Sequence, residues 1–421
     1  MASMHDQPVD EEAAAITECR FSATSPLARL RSLLPVALNR SASPDPRDLP
    51  TTSTDRRRAS SVGASLDQDE FLSEKVTEQQ EKGTTLSDTI AAKETVLYLA
   101  YGSNLSSKTF RGVRNIKPLS QIAVLVPELR LTFDLPGIPY AEPCFAGTQF
   151  RDPDAAEEQD GASSEDDSLM DGVYMSEKEP LMVETREVQS TDLHRNRWHK
   201  PLVGVVYEVT LADYAIIIAT EGGGRGYRDV VVDCHAFSES YKPTDPVPNH
   251  PDTPPFKAHT LLSPAADEAL KKRTHAIKSD HSPAMHNPRP TTWCLGDIGP
   301  HLRPDGEYAQ PSARYLNLLI TGAAEHELPV SYQEYLSQIR PYRITEMRQK
   351  IGKGVFLAIW APPILSLLAL GKFFAGPDGR SPPWLVILGN VLFTTMWKSY
   401  DNVFKPVFGD GERTLHDTPP L

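Results

Sequence analysis

Apolar positions along this chain change their spacing from one segment to the next. Val96-Leu97-Tyr98-Leu99-Ala100 is apolar throughout, which predicts a strand buried on both faces. Leu129, Leu131 and Phe133 alternate with Arg130, Thr132 and Asp134, the period-two pattern of a half-buried strand, and LPGIP supplies turn residues to close it. CFAGTQF (Cys144 to Phe150), LVGVVYEVT (Leu202 to Thr210), RDVVVDCHAF (Arg228 to Phe237) and FKAHTLL (Phe256 to Leu262) read as further strands. Between two of them, LADYAIIIATE predicts a short helix, opened by Thr210 and Asp213 as a capping pair and closed by Gly222-Gly223-Gly224. Two helices follow from a 3.6-residue period. One carries Tyr315, Leu316, Leu319, Ile320 and Ala323 on a single stripe, with Pro311 suited to its first turn. The other repeats the spacing at Tyr332, Tyr335, Leu336 and Ile339 and ends at Pro341.

Nearer the C-terminus the periodicity is lost because almost every residue is apolar. GVFLAIWAPPILSLLALGKFFA (Gly354 to Ala375) is interrupted only by Ser366 and Lys372, and it is long enough for a hydrocarbon core of about 30 Å. Pro362-Pro363 removes helix hydrogen bonds, a defect that membrane segments tolerate better than soluble ones. PWLVILGNVLFTTMW (Pro383 to Trp397) is shorter, and GPDGRSP separates the two runs. The expectation is a transmembrane or membrane-associated helical hairpin over residues 345–405, followed by a tail, 406–421. Arg343, Arg348, Lys350 and Lys353 precede the first run, so the positive-inside rule puts the remainder of the protein on the cytosolic side of the membrane that anchors it.

The polar segments divide the rest. Residues 1–93 are rich in Ser, Thr, Pro, Asp and Arg with few aromatics, too little apolar surface to offset the entropy of ordering, so disorder is expected. Within them RRRAS sets Arg57 and Arg58 before Ser60, a spacing that basic-directed kinases favour. Residues 151–192 form an acidic, flexible insertion centred on EEQDGASSEDD. Residues 238–291 read as a Pro/His-rich loop broken by FKAHTLL. Its five histidines, His250 to His286, lack the spacing of a metal site and are read as solvated.

Composition then removes whole classes. A net charge of −13 argues against a nucleic-acid partner. The four cysteines lie far apart without a CxxC pair, which suggests neither a zinc site nor a disulfide framework. No metal and no cofactor are expected.

Two stretches carry chemistry. Gly102-Ser103-Asn104 directly follows the first strand, and a turn there can aim successive backbone N–H groups into one small anion-binding concavity. TEGGGRGY places Glu221 at a helix end, where the helix dipole does nothing for a carboxylate, beside glycines that let a ligand approach the backbone.

Taken in order, YLAYGSNL, TEGGG and PSARYLNLLITGAAEHELPVSYQEYL resemble the gamma-glutamylcyclotransferase family. The likeness spans residues 94–344, less the insertion and the Pro/His-rich loop. It implies an α+β fold: a small mixed sheet, partly closed as a barrel, with flanking helices. It implies release of 5-oxoproline from a small γ-glutamyl compound without metal or organic cofactor. Carried residue by residue, the loop Tyr98, Leu99, Ala100, Tyr101, Gly102 and Ser103 holds the γ-glutamyl group, Glu221 is the proton acceptor and general acid/base, and Tyr315 contacts the substrate. Two other readings stay open: a related cyclotransferase acting on a γ-glutamylamine or a metabolite conjugate, and a non-catalytic, membrane-tethered binding module on the same scaffold.

Overall fold

The computed structural model describes residues 49–63, 65–69, 72, 94–151, 198–221, 228–262, 303, 308–374 and 381–414, all within one compact unit spanning 42–421. The acidic insertion, most of the Pro/His-rich loop and the three glycines after Glu221 lie outside them.

Among the described residues seven strands form: β1 (Thr95–Ala100), β2 (Ser120–Val126), β3 (Leu129–Ile138), β4 (Glu142–Phe150), β5 (Leu202–Thr210), β6 (Arg228–Ala236) and β7 (Phe256–Leu262). Five close into a barrel in the order β1-β5-β2-β6-β7, and β3 and β4 make a separate hairpin. β1 runs antiparallel to β5 from Thr95 opposite Thr210 to Ala100 opposite Val205. The barrel closes through a single parallel pairing, Tyr98 with His259. Both faces of β1 are buried, since one lines the barrel and α2 (Leu211–Thr220) packs on the sheet at β1 and β5. That explains its unbroken apolar run. α2 opens as expected, with the Thr210 hydroxyl accepting from Asp213 N, and ends with Glu221 as its C-cap.

Several expectations need correction here. β3 does not stop at LPGIP. It continues to Ile138 past an irregularity between Thr132 and Leu135, and the reversal falls at Tyr140, in a left-handed conformation at φ 63°. β2 gave no clear sequence signal, because Ser120 and Gln121 open it; the barrel supplies partners on both its edges, β5 and β6.

A further correction concerns the amino-terminal region, in which residues 49–63 and 65–69 are ordered on the barrel wall. α1 (Thr54–Ser60) is capped by Ser53 and packs on β7. Arg56 bridges Asp67 and Glu208, and the Asp67 carboxylate accepts from Leu97 N. Carboxylate and guanidinium thus complete hydrogen bonding at the weak β1–β7 seam, a polar device that composition does not reveal. Ser60 is fully buried, donating to Arg57 O and accepting from Lys257 N. Phosphorylation there would require α1 to leave the barrel. His259 is likewise no solvated loop residue: its ring nitrogens face Asp229 Oδ1 at 3.0 Å and Leu66 O at 2.9 Å. Burial opposes its protonation, but Asp229 outweighs that and holds its pKa above the ordinary value.

α3 (Ala313–Glu325) and α4 (Val330–Gln338) bury the predicted stripes. Ser312 caps α3, with Pro311 just ahead of the cap rather than inside the first turn. α5 (Met347–Phe373) runs through Pro362 and Pro363, and α6 (Pro383–Ser399) packs beside it. Among the described residues one helix, Met347–Gly371, is long and apolar enough to cross a membrane. It leaves Ile351, Ile359, Leu365 and Leu368 exposed.

After α6 the chain does not trail away. Residues 409–414 return to the β3–β4 reversal and the start of α5: Gly411 O accepts from Tyr140 N, Gly409 O from the Tyr140 hydroxyl, and Asp410 O from Gln349. Gly411 is required at this point, since a Cβ would stand 2.9 Å from the Tyr140 ring. Arg303 completes the clasp by pairing with Asp401 and Glu412 while its guanidinium lies 4.3 Å from the Trp397 ring centre.

Candidate active site

The site is assembled where β1 ends. Gly102 leads into a 3₁₀ turn, Ser103–Leu105, closed by Leu105 N to Gly102 O and Ser106 N to Ser103 O. The first N–H groups of such a turn have no partner inside it and point outward. α3 holds the turn from behind. A Cβ on Gly322 would stand 2.5 Å from the Leu105 carbonyl carbon, Glu325 accepts from Ser107 N, and His326 Nε2 lies 3.1 Å from Leu105 O. The ITGAAEHELP stretch is therefore the backing plate of the YGSN turn, which is why two segments so distant in sequence occur together.

His326 Nε2 also meets the Tyr207 hydroxyl at 2.8 Å. A carbonyl can only accept, so Nε2 carries the proton of a neutral ring. Burial pushes this histidine down to about 4.

Glu221 reaches this turn from the end of α2. Its Oε1 accepts from Asn104 Nδ2 at 2.9 Å and pairs with Arg114 Nη2 at 2.6 Å. Arg114 also donates to the Thr220 hydroxyl. The second Nδ2 proton of Asn104 goes to the Tyr98 hydroxyl at 2.9 Å. Asn104 Oδ1, by contrast, is buried without a hydrogen-bond partner among the described residues, an arrangement that costs about 1–3 kcal/mol.

Tyr315 enters from α3. Its hydroxyl accepts from Ala146 N at 3.1 Å and would lie 3.3 Å from a Cβ built on Gly102. Burial raises the pKa of both Tyr98 and Tyr315, and the Glu221 charge adds to it, so both remain protonated donors.

Of the residues singled out from sequence, Tyr98, Gly102, Tyr315 and Glu221 converge. Leu99 and Ala100 are buried core, and the Tyr101 hydroxyl donates to Leu261 O inside the barrel. Ser103 belongs to the turn by its backbone. Two further residues complete the site: Asn104, where sequence reading reached only the backbone turn, and Arg114. For Asn104 the signal was available, since a buried amide at the end of a strand needs partners on both sides. Arg114 sits after an irregular π-helical segment, Lys108–Val113, that no periodicity marks. Among the described residues no cluster of potential ligands for a metal ion occurs.

A barrel with flanking helices, a glycine-led turn and a carboxylate delivered to it define a cyclotransferase-like scaffold. The chain belongs to the gamma-glutamyl cyclotransferase family. It is 30% identical over 328 residues to gamma-glutamyl cyclotransferase gliK of Aspergillus fumigatus, covering 77% of this chain and 93% of that protein. Gamma-glutamyl cyclotransferase aclK of Aspergillus oryzae is 27% identical over 325 residues, covering 75% and 90%. The family model described as the AclK C-terminal domain matches residues 346–407, the segment that holds α5 and α6. A solved structure of a gamma-glutamyl cyclotransferase overlaps 60% of this chain and 92% of its own at 16% identity, with a TM-score of 0.30.

Proposed function

We propose that this chain releases 5-oxoproline and a free amine from a small γ-glutamyl compound, with Glu221 as general acid and base. The observation that carries this reading is the convergence of Glu221, Asn104 and Tyr98 at the Gly102 turn. In a γ-glutamyl amide the α-nitrogen attacks the γ-carbonyl of its own molecule and closes a five-membered ring. That nitrogen begins as an ammonium with three protons and ends as a lactam with one. The two surplus protons finish on the departing nitrogen, whose bond to the γ-carbon breaks as the ring bond forms.

One group that accepts and returns protons therefore suffices, and Arg114 and Asn104 both bind Oε1, leaving Oε2 for that task. The Tyr315 hydroxyl, already accepting from Ala146, has its own proton to offer a developing oxyanion, together with backbone N–H groups of the Gly102–Ser103 turn. Holding the substrate folded supplies on the order of 7–11 kcal/mol of the barrier reduction.

We also propose that residues 94–344 form the catalytic portion, and that α5 and α6 associate with a membrane that leaves it on the cytosolic side. The exposed apolar face of α5 and the basic residues at its start, Arg348, Lys350 and Lys353, support this.

The test is incubation of the purified chain with a panel of γ-glutamyl amino acids, peptides and amines, assaying 5-oxoproline. Glu221→Gln is expected to lower kcat about 10²–10⁴-fold with KM kept within a few fold. Release by the variant at the wild-type rate overturns the assignment of Glu221.

A further inference from the structure

Asn104 is 3% exposed, and its amide is oriented by its neighbours. Both Nδ2 protons are committed, one to the Tyr98 hydroxyl and one to Glu221 Oε1. Rotating the amide by half a turn would set Oδ1 against the ionised carboxylate, so Glu221 dictates which way Asn104 faces. The result is an acceptor oxygen, buried and without a partner, fixed beside the carboxylate that the proposed reaction uses. The bonds from Nδ2 account for the amide nitrogen, but nothing among the described residues accounts for the unpartnered oxygen. An N–H donor from a ligand satisfies it.

We infer that Asn104 is a direct substrate ligand: Oδ1 accepts an N–H from the α-nitrogen of the γ-glutamyl group and holds that nitrogen beside Glu221. The inference rests on the cyclotransferase reading and deepens it. Of the three protons on the substrate ammonium, two leave through Glu221 and one survives in the lactam. The surviving N–H is the one assigned to Asn104. It is present in substrate, intermediate and product alike, so the contact lasts through ring closure and, once the nitrogen has been deprotonated, directs its single lone pair at the γ-carbon. The same amide, through Nδ2, keeps Glu221 Oε1 occupied and turns Oε2 toward the protons that must leave.

Two measurements test it. The first uses the Glu221→Gln background, where turnover is slow enough to measure binding and Arg114, which can only donate, keeps an oxygen opposite Asn104 Nδ2. A γ-glutamyl amide is compared with its glutaryl counterpart, which lacks the α-amine. The amine is expected to favour binding by about tenfold, and adding Asn104→Leu should reduce that preference to less than about twofold. Persistence of the full preference in the double variant overturns the inference.

The second needs no substitution: a crystal structure of the wild-type chain with 5-oxoproline should place the lactam nitrogen about 3 Å from Asn104 Oδ1. A lactam nitrogen turned away from Asn104 overturns it equally. Failure of the wild type to release 5-oxoproline from any γ-glutamyl compound would instead defeat the cyclotransferase reading itself.

Discussion

Arg114 Nη2 lies 2.6 Å from Glu221 Oε1, and the two side chains are only 11% and 17% exposed. The pair ties the segment after the Gly102 turn to the end of α2, so one contact fixes both walls of the site. Arg114→Met would leave a largely buried carboxylate unpaired, and the expected loss is up to about 3 kcal/mol in denaturant unfolding. Arg114→Lys keeps the charge but not the fork that also reaches Thr220, so it should fall between the two. Equal stability of all three proteins would mean that the pair contributes nothing to the fold.

Tyr315→Phe keeps the ring that meets Phe145 edge-on at 5.0 Å but removes the acceptor for Ala146 N. The expected change is a rise in KM of about tenfold for γ-glutamyl substrates, together with a fall in kcat from the lost oxyanion donor. Steady-state kinetics that leave KM unaltered would remove Tyr315 from substrate recognition.

Gly322→Ala tests the backing plate. The added methyl meets Leu105 backbone at 2.5 Å, where no flexible side chain can yield. Overpacking of this kind costs about 1–3 kcal/mol, and relief can come only by shifting the turn that carries Gly102 and Asn104. Turnover should therefore fall well beyond what the drop in melting temperature accounts for. A stable variant with undiminished turnover would show that the turn is held by other means.

His326 gives the fold an acid limb. Its folded-state pKa of about 4 lies below the ordinary 6.5. Above 6.5 the ring is neutral folded or unfolded, and its full contribution is present. As pH falls from 6.5 towards 4 the unfolded chain takes up the proton first, and on the order of 3 kcal/mol is lost. His259 titrates in the opposite sense, so the comparison is between proteins: His326→Gln should flatten the decline in unfolding free energy between pH 7 and pH 5. An unchanged slope would place the acid sensitivity elsewhere.

Legibility from sequence followed the physics of each element. β1 and β5 were readable because continuous burial favours apolar residues along nearly their whole length, and α3 because one face is covered. The ordered amino-terminal segment was not readable, since Arg56 and Asp67 act through hydrogen bonds to backbone and carboxylate, and their composition matches that of an unstructured tail. The return of residues 409–414 was equally hidden: Gly409, Asp410 and Gly411 look like any turn until Tyr140 is known to stand opposite. At the site, glycine and carboxylate were legible as chemistry, whereas the Arg114 pairing depends on tertiary distance alone.

The order of strands around the barrel governs how the molecule is made. β1 leaves the ribosome early with both edges bare, and its neighbours, β5 and β7, are not translated until residues 202–210 and 256–262. Bare apolar edges invite mispairing in a nascent chain. Lengthening the stretch between β4 and β5 adds only about 0.6 kcal/mol per doubling to the closure entropy, so it would slow assembly far more than it would weaken the finished barrel. Yield during synthesis, more than endurance once folded, is where changes to that connection will be felt.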